Sequence, residues 1–410
     1  MPTQIKTFTT SLMAYGASEV ASKASRLLVV VAVARSLDLT EIGVAAAAIA
    51  AGDILKALTE NGVGQRIIAA SDEALEATCA TASRIFWMWC FGLFAAQALI
   101  AGVLYFSSGN AVLAGLIVLM GVEYLFMPAG LVQVALAMRA GKMKQTAAIG
   151  GAQLVGANLL SVAMVLIWPS AIALILPRVL SAPIWLFAVR RLQPWSRTGS
   201  SFAPLKPFLT YGWAVLGVEV VKVLRLQADK VVIGFTLGAE TLGLYFMAFN
   251  AGLSLSNAFT SAFSTVLFPL LAQAKDQVQS LRQSLFVGLA MIVPLVVLQA
   301  LLVPLYVPVL LGAGWEDIDP LVQVLCLVAI PTTIWATAAG WLRTNDRPHV
   351  EFAVTAFLAL LIVVNALVIG PLGLMELVIG YASITTLIMC GGAYITLRSA
   401  FTPSNRMVTL

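Results

Sequence analysis

Apolar stretches of about twenty residues recur along this 410-residue chain, and about twenty is the length a helix needs to cross a bilayer's hydrocarbon core. Charges and Gly/Pro clusters divide the chain into twelve candidate spans. In the first half they run approximately over 11–34, 41–60, 85–106, 111–138, 145–167 and 170–189. In the second half they run over 207–228, 240–271, 284–310, 320–342, 350–369 and 373–397. Composition closes the alternatives: 60% of residues are hydrophobic and only 10% charged, against roughly 25% charged in a soluble domain. Too few polar atoms remain to cover a water-facing surface. A soluble enzyme, a nucleic-acid-binding domain and a disordered regulator are therefore excluded, and the expected fold class is an all-α polytopic membrane protein.

The N-terminal stretch MPTQIKTFTTSLMAYGASEVASK lacks a compact apolar core followed by a small-residue cleavage site, so its apolar segment is expected to stay as a helix. Basic residues set the expected orientation, because Lys and Arg of short loops stay on the cytoplasmic side. Alternate connections are basic: Arg66 and Arg84; Arg139, Lys142 and Lys144; Arg190, Arg191, Arg197 and Lys206; Lys275 and Arg282; Arg343 and Arg347; then Arg398 and Arg406. The turns between them, YFSSGN, WPS, GAGWEDIDP and IGPLG, carry neither Lys nor Arg. Both termini are expected in the cytoplasm, with Glu316, Asp317 and Asp319 outside, which requires an even number of spans.

Self-comparison adds a repeat. At an offset of 200, RSLDLTEIGV (35–44) aligns without a gap to FTLGAETLGL (235–244), matching Leu37 with Leu237 and Gly43 with Gly243. Ala51-Gly52 then falls on Ala251-Gly252, and Leu55 on Leu255. A shift of six helices makes the halves parallel repeats. The expected organisation is a six-helix lobe over 1–190, a cytoplasmic linker over 191–206 and a second six-helix lobe over 207–410, around a central cleft.

Charges within the spans mark the candidate site. Eight basic residues lie inside helices or at their ends: Lys23, Arg26, Arg35, Lys56, Arg178, Lys222, Arg225 and Lys230. In the first span the Leu and Val residues each favour insertion by about 0.3–0.6 kcal/mol, whereas a central Lys or Arg costs roughly 2.5–3.5 kcal/mol. Two such charges cancel the gain, so this face must turn toward protein. Glu19, Lys23 and Arg26 share a helical stripe, and Glu219, Lys222, Arg225 and Asp229 lie within about a third of the circumference of theirs. Lys-x-x-Arg thus recurs at 23–26 and 222–225. One reading is a set of internal ion pairs, Glu19 with Lys23 and Glu219 with Lys222. The other is a cationic cavity for an anionic substrate, built by Lys23, Arg26, Lys222 and Arg225 and joined by Arg178 of the Pro-flanked LPRVLSAP. Arg suits bidentate contact with phosphate or carboxylate oxygens. Asp53, Glu60, Glu123 and Glu219 are the candidate ion-coupling carboxylates, with Asp53 first because it shares a face with Lys56 and Glu60; a fixed Asp53–Lys56 pair is the structural alternative.

Other residues carry less. Cys79, Cys90, Cys326 and Cys390 lie in or near apolar runs without metal-ligand spacing, where Cys behaves as a small hydrophobe. His349, the only His, sits in a polar turn. No GxxxxGK[ST] segment occurs, so ATP is not expected as the direct energy source, and no metal or cofactor is expected.

Three segments carry a family likeness: ARSLDLTEIGVAAAAIA (34–50), LRLQADKVVIGFTLGAETLGLYFMAFN (224–250) and SAFSTVLFPLLAQ (261–273). The second and third follow the pattern D-x-x-x-I-G-x-x-L-G-x-x-x-L-G-x-Y … P on Asp229, Gly234, Gly238, Gly243, Tyr245 and Pro269. The chain resembles the Wzx-type lipid-linked oligosaccharide flippases of the multidrug/oligosaccharidyl-lipid/polysaccharide superfamily. That resemblance implies a non-enzymatic transporter in a bacterial inner membrane, moving an undecaprenyl-pyrophosphate-linked repeat unit by alternating access. It also implies polysaccharide polymerase and export proteins as partners, and no nucleic acid. Drug or cation extruders of the same superfamily are the alternative, and they should favour an anionic cavity.

Overall fold

The computed structural model describes residues 24–59, 61–197, 201–274, 276–312, 314–345 and 347–401. Beside the short helix Val63–Ile68 and two 3-10 turns, twelve helical stretches lie at the predicted spans, the first of which (11–34) is described only from residue 24, and these residues include no strand. In chain order they are α1 (24–36), α2 (Leu39–Ala57), α3 (Leu75–Ser108), α4 (Ala111–Arg139, in three pieces), α5 (Met143–Ile167) and α6 (Ile172–Leu192). They continue as α7 (Lys206–Thr236), α8 (Gly238–Gln273), α9 (Gln277–Leu311), α10 (Asp319–Thr344, in two pieces), α11 (Pro348–Val368) and α12 (Leu374–Phe401). Among the described residues eight helices are long and apolar enough to cross a membrane, or nine with α4 taken as one span. The protein is polytopic and all-α.

Local chemistry fixes where these helices start and bend. Asp38 accepts a hydrogen bond from the Glu41 amide and caps α2, and Asn110 caps α4 through the Leu113 amide, each satisfying a donor that the first turn leaves open. α4 bends by 52° where Pro128 begins its last piece, since proline cannot donate to the preceding turn. Pro177 and Pro183, by contrast, lie inside a continuous α6. Basic residues of the connections cap helix ends. The Lys142 ammonium donates to the Leu192 carbonyl at 3.0 Å, and Arg139 donates to the Ile68 carbonyl at 2.9 Å at the end of the short helix Val63–Ile68. Cations at helix C-termini complement the backbone dipole.

The described residues form two compact units, Ser25–Phe246 and Met247 onward. In the first, α7 runs antiparallel along α2: Gly212 meets the Asn61 carbonyl, Gln227 meets Asp53, and Gly234 lies against Ala47. Thus α7, read from sequence as the opening helix of the second lobe, packs in this unit. The connection before α7 is fastened here as well, through Ala203 N–H to the Ala77 carbonyl at 3.2 Å and the Thr81 hydroxyl to the Ala203 carbonyl at 3.0 Å. In the second unit, Gln299 of α9 donates to the Ala251 and Gly252 carbonyls of α8, and Asn365 of α11 donates to the Leu377 carbonyl of α12 at 2.9 Å.

The repeat is visible in helix packing. Gly52 of α2 seats Met120 of α4, and Gly252 of α8 seats Leu325 of α10. The matched glycines thus receive side chains from helices that are themselves six apart. Cys79, Cys90 and Cys326 are buried among apolar neighbours, as their sequence setting implies.

Candidate functional site

Asp53 sits four residues before the end of α2 and gathers two other helices. One carboxylate oxygen accepts from the Arg178 guanidinium of α6 at 3.1 Å, and the other from the Gln227 amide of α7 at 3.1 Å. Arg178 stands here because the start of α6 is tied to α2, with the Glu41 carboxylate accepting the Ala171 amide at 2.6 Å. Asp53 lies twelve residues further, about 18 Å along the helix. Arg26 of α1 lies within electrostatic reach of both Asp53 and Arg178. Among the described residues it forms no hydrogen bond or ion pair.

One turn beyond Asp53, the Lys56 ammonium meets the Glu123 carboxylate at 2.5 Å. Glu123 opens the short middle piece of α4, next to the bend. The expected alternative of a fixed Asp53–Lys56 pair is therefore corrected: each residue is paired, but with a different helix. The reason is reach. Residues three apart on α2 diverge toward different neighbours, so Asp53 meets α6 and α7 while Lys56 meets α4. Tyr124 adds a phenol near this group, its hydroxyl 3.5 Å from the Gly52 carbonyl.

A third ionic group lies further along α7. Asp229 accepts from the Tyr245 hydroxyl at 2.5 Å and from the Lys230 ammonium at 3.3 Å, and all three side chains are buried. Lys230 also donates to the Leu226 carbonyl and lies within electrostatic reach of Arg26 and Asp53. Among the described residues the inventory is four cations (Arg26, Lys56, Arg178, Lys230) against three carboxylates (Asp53, Glu123, Asp229), one positive charge in excess. The Asp53–Arg178 pair retains 23% and 31% of its side-chain exposure, so it is open to a small ligand. At the offset of 200, Asp53 and Lys56 correspond to Leu253 and Ser256, both buried.

The remaining predicted residues divide. Lys23 and Glu60 lie outside the described residues. Lys222 pairs with Glu219 of its own helix at 2.6 Å, the internal pair that sequence spacing allows. Arg225 is half-buried and has no ion pair among the described residues. Helical geometry sets it about 160° around α7 from Gln227, so it does not share the face that meets Asp53. Sequence reasoning missed Gln227 and the Asp229–Tyr245 contact. A lone amide in an apolar helix, and an Asp and Tyr sixteen residues apart across a Gly corner, were the signals.

The family pattern acquires a physical meaning at the α7–α8 corner. Asp229 and Tyr245 are hydrogen-bonded partners. Gly238 turns the corner at φ 87°, a left-handed conformation that favours glycine. Gly234 accommodates Leu242. The polysaccharide biosynthesis protein family matches residues 32–320, well over half of the chain. The chain belongs to this family. It is 27% identical over 175 residues to the lipopolysaccharide biosynthesis protein WzxC of Escherichia coli (strain K12), a stretch covering 42% of this chain and 35% of that one. It is also 27% identical over 148 residues to the amylovoran biosynthesis protein AmsL of Erwinia amylovora, covering 35% of this chain and 38% of that one. Each match thus spans little more than a third of the curated relative's length.

Among solved structures, the fold is similar to the lipid II flippase MurJ in an inward closed conformation, with TM-score 0.81 and 12% identity over 94% of this chain and 87% of that one. It is also similar to an inward-facing multidrug resistance MATE family transporter, with TM-score 0.70 and 12% identity over 93% of this chain and 96% of that one. These likenesses place the family member in the fold that its sequence resemblance implies.

Proposed function

We propose that this family member is a flippase for a lipid-linked oligosaccharide, carrying an undecaprenyl-pyrophosphate-linked repeat unit from the cytoplasmic to the periplasmic leaflet of an inner membrane. The observation that carries this reading is Arg26. It is an exposed guanidinium on α1 within electrostatic reach of the Asp53–Arg178 pair, in a cluster whose described residues carry excess positive charge. A cation held within a span marks a substrate or ion pathway, and guanidinium geometry matches phosphate oxygens. The pyrophosphate would exchange water for Arg26 and for Arg178, whose bond to Asp53 is only partly covered.

A cation extruder needs a carboxylate free to take the cation. Among the described candidates Asp53 is engaged by Arg178, Glu123 by Lys56 and Glu219 by Lys222, which disfavours that reading. Asp53 then acts as the gatekeeper for Arg178. Binding of an anion or a proton weakens one bond of the α2–α6–α7 junction, and only a difference in affinity between states shifts a conformational equilibrium.

The deciding experiment is export by cells carrying single variants at unchanged membrane abundance. Arg26→Ala should abolish surface polysaccharide and accumulate the lipid-linked repeat unit on the inner leaflet, with Arg26→Lys retaining part of the function. Normal export by Arg26→Ala would refute the cationic-site reading.

A further inference from the structure

The Asp53 carboxylate is shared between two donors of different kind. Its Oδ1 accepts from Nη2 of the Arg178 guanidinium at 3.1 Å, and its Oδ2 accepts from the Gln227 side-chain amide at 3.1 Å. An ionised carboxylate only accepts, so the NH2 end of Gln227 faces it and the contact adds no charge. The nearby ammonium groups are committed elsewhere. Lys56 meets Glu123, and Lys230 donates to the Leu226 carbonyl and to Asp229.

Helix packing holds Gln227 at this spot. Seven residues beyond it on α7, Gly234 lies against Ala47, which stands six residues before Asp53 on α2. On the other side, Gly212 meets the Asn61 carbonyl. The antiparallel register of α2 and α7 is thereby fixed on both sides of the contact, and Oδ2 is met from α7 while Oδ1 is met from α6.

This division of the carboxylate decides what Arg178 has left. A guanidinium and a carboxylate with both oxygens open form a fork of two parallel hydrogen bonds. Here one oxygen is already taken, and the bond from Nη2 is the one hydrogen bond that the guanidinium makes among the described residues. Its Nε and Nη1 are not sealed inside the protein, and the side chain keeps 31% of its exposure. Donors of a guanidinium that are neither bonded nor sealed are those an oxyanion can use.

We propose that Gln227 is a positioning residue for anion binding: by occupying one oxygen of Asp53 it limits the Asp53–Arg178 bridge to a single bond and keeps the other Arg178 donors for the pyrophosphate of the substrate. This rests on the flippase reading and adds to it the residue that sets how much of Arg178 the anion meets.

The experiment titrates the full chain in detergent with inorganic pyrophosphate. Gln227→Leu and Gln227→Met each remove the amide donor and release Oδ2 to close the fork on Arg178. Each should weaken pyrophosphate binding by about fivefold or more, the size of coupling common between contacting groups, and two side chains of different shape cover misfolding of either variant. In an Asp53→Asn background no second oxygen remains to close the fork, so the same substitutions should change the affinity by less than about twofold, as for uncoupled sites. Equal weakening in both backgrounds would show that Gln227 only supports the fold or touches the anion itself, and would overturn the assignment. Parent-like affinity of both variants on the parent background would overturn it as well, leaving the flippase reading intact. A parent that binds no pyrophosphate would overturn the anion site at Arg178, on which both readings stand.

Discussion

Gly43 of α2 and Gly243 of α8 meet at a backbone crossing, and the contact is reciprocal at the offset of 200. A Cβ on Gly43 would fall 1.7 Å from the Ala239 carbonyl oxygen, and one on Gly243 would fall 2.3 Å from that of Leu39. Residue 43 faces 239 while 243 faces 39, the self-complementary pattern that a two-fold relation between equivalent segments produces. Two helices approach this closely only where both lack side chains.

Gly43→Ala and Gly243→Ala should each destabilise the protein, because the clash is with backbone and cannot be relieved by a rotamer change. Overpacking typically costs about 1–3 kcal/mol, and these contacts belong at or above the upper end. Thermal unfolding in detergent should show a clear drop for both variants, with Gly151→Ala, in open space, near the parent.

At the Asp53–Arg178 junction, removal of either partner leaves the other charge unpaired and only partly exposed. Asp53→Ala and Arg178→Ala should each lower stability, and the double variant should lose less than their sum. Coupling between contacting residues is commonly about 0.5–3 kcal/mol; a purely additive cycle would show that the pair is not coupled.

Proton coupling gives a separate outcome. On the flippase reading, collapsing the pH gradient at constant membrane potential in proteoliposomes should slow flipping by the parent and leave Asp53→Asn slow under both conditions. An Asp53→Asn variant with the parent's rate and pH response would remove this carboxylate from the coupling step.

The buried Asp229–Tyr245 contact should serve stability. Tyr245→Phe deletes the hydroxyl that the Asp229 carboxylate accepts at 2.5 Å, and a buried acceptor left short of a partner costs about 1–3 kcal/mol. Lower melting temperature with substrate affinity retained by the folded fraction is the expected result.

The alternation of basic and non-basic connections predicts the orientation. A cysteine introduced at Asp317 should be labelled in intact cells, and one at Arg197 only after the inner membrane is permeabilised. Equal labelling of both from outside would refute the topology.

The sequence by itself determined the class of fold and the places of its helices. Lipid leaves no partner for a free backbone amide, so each apolar run of sufficient length becomes a helix wherever it later packs, and each predicted span has one. It also determined the repeat, because Gly43 and Gly243 are legible as matched letters before their contact is known. What only the tertiary structure decided was partnership. Asp53 and Lys56 share a face of α2, yet one is claimed by Arg178 and Gln227 and the other by Glu123. Those partners lie 67 to 174 residues away. Likewise, a lone Gln227 carries no charge to mark it. Periodicity is a local property of the chain, whereas pairing depends on which helix arrives at each face, and that is set by packing among all of them.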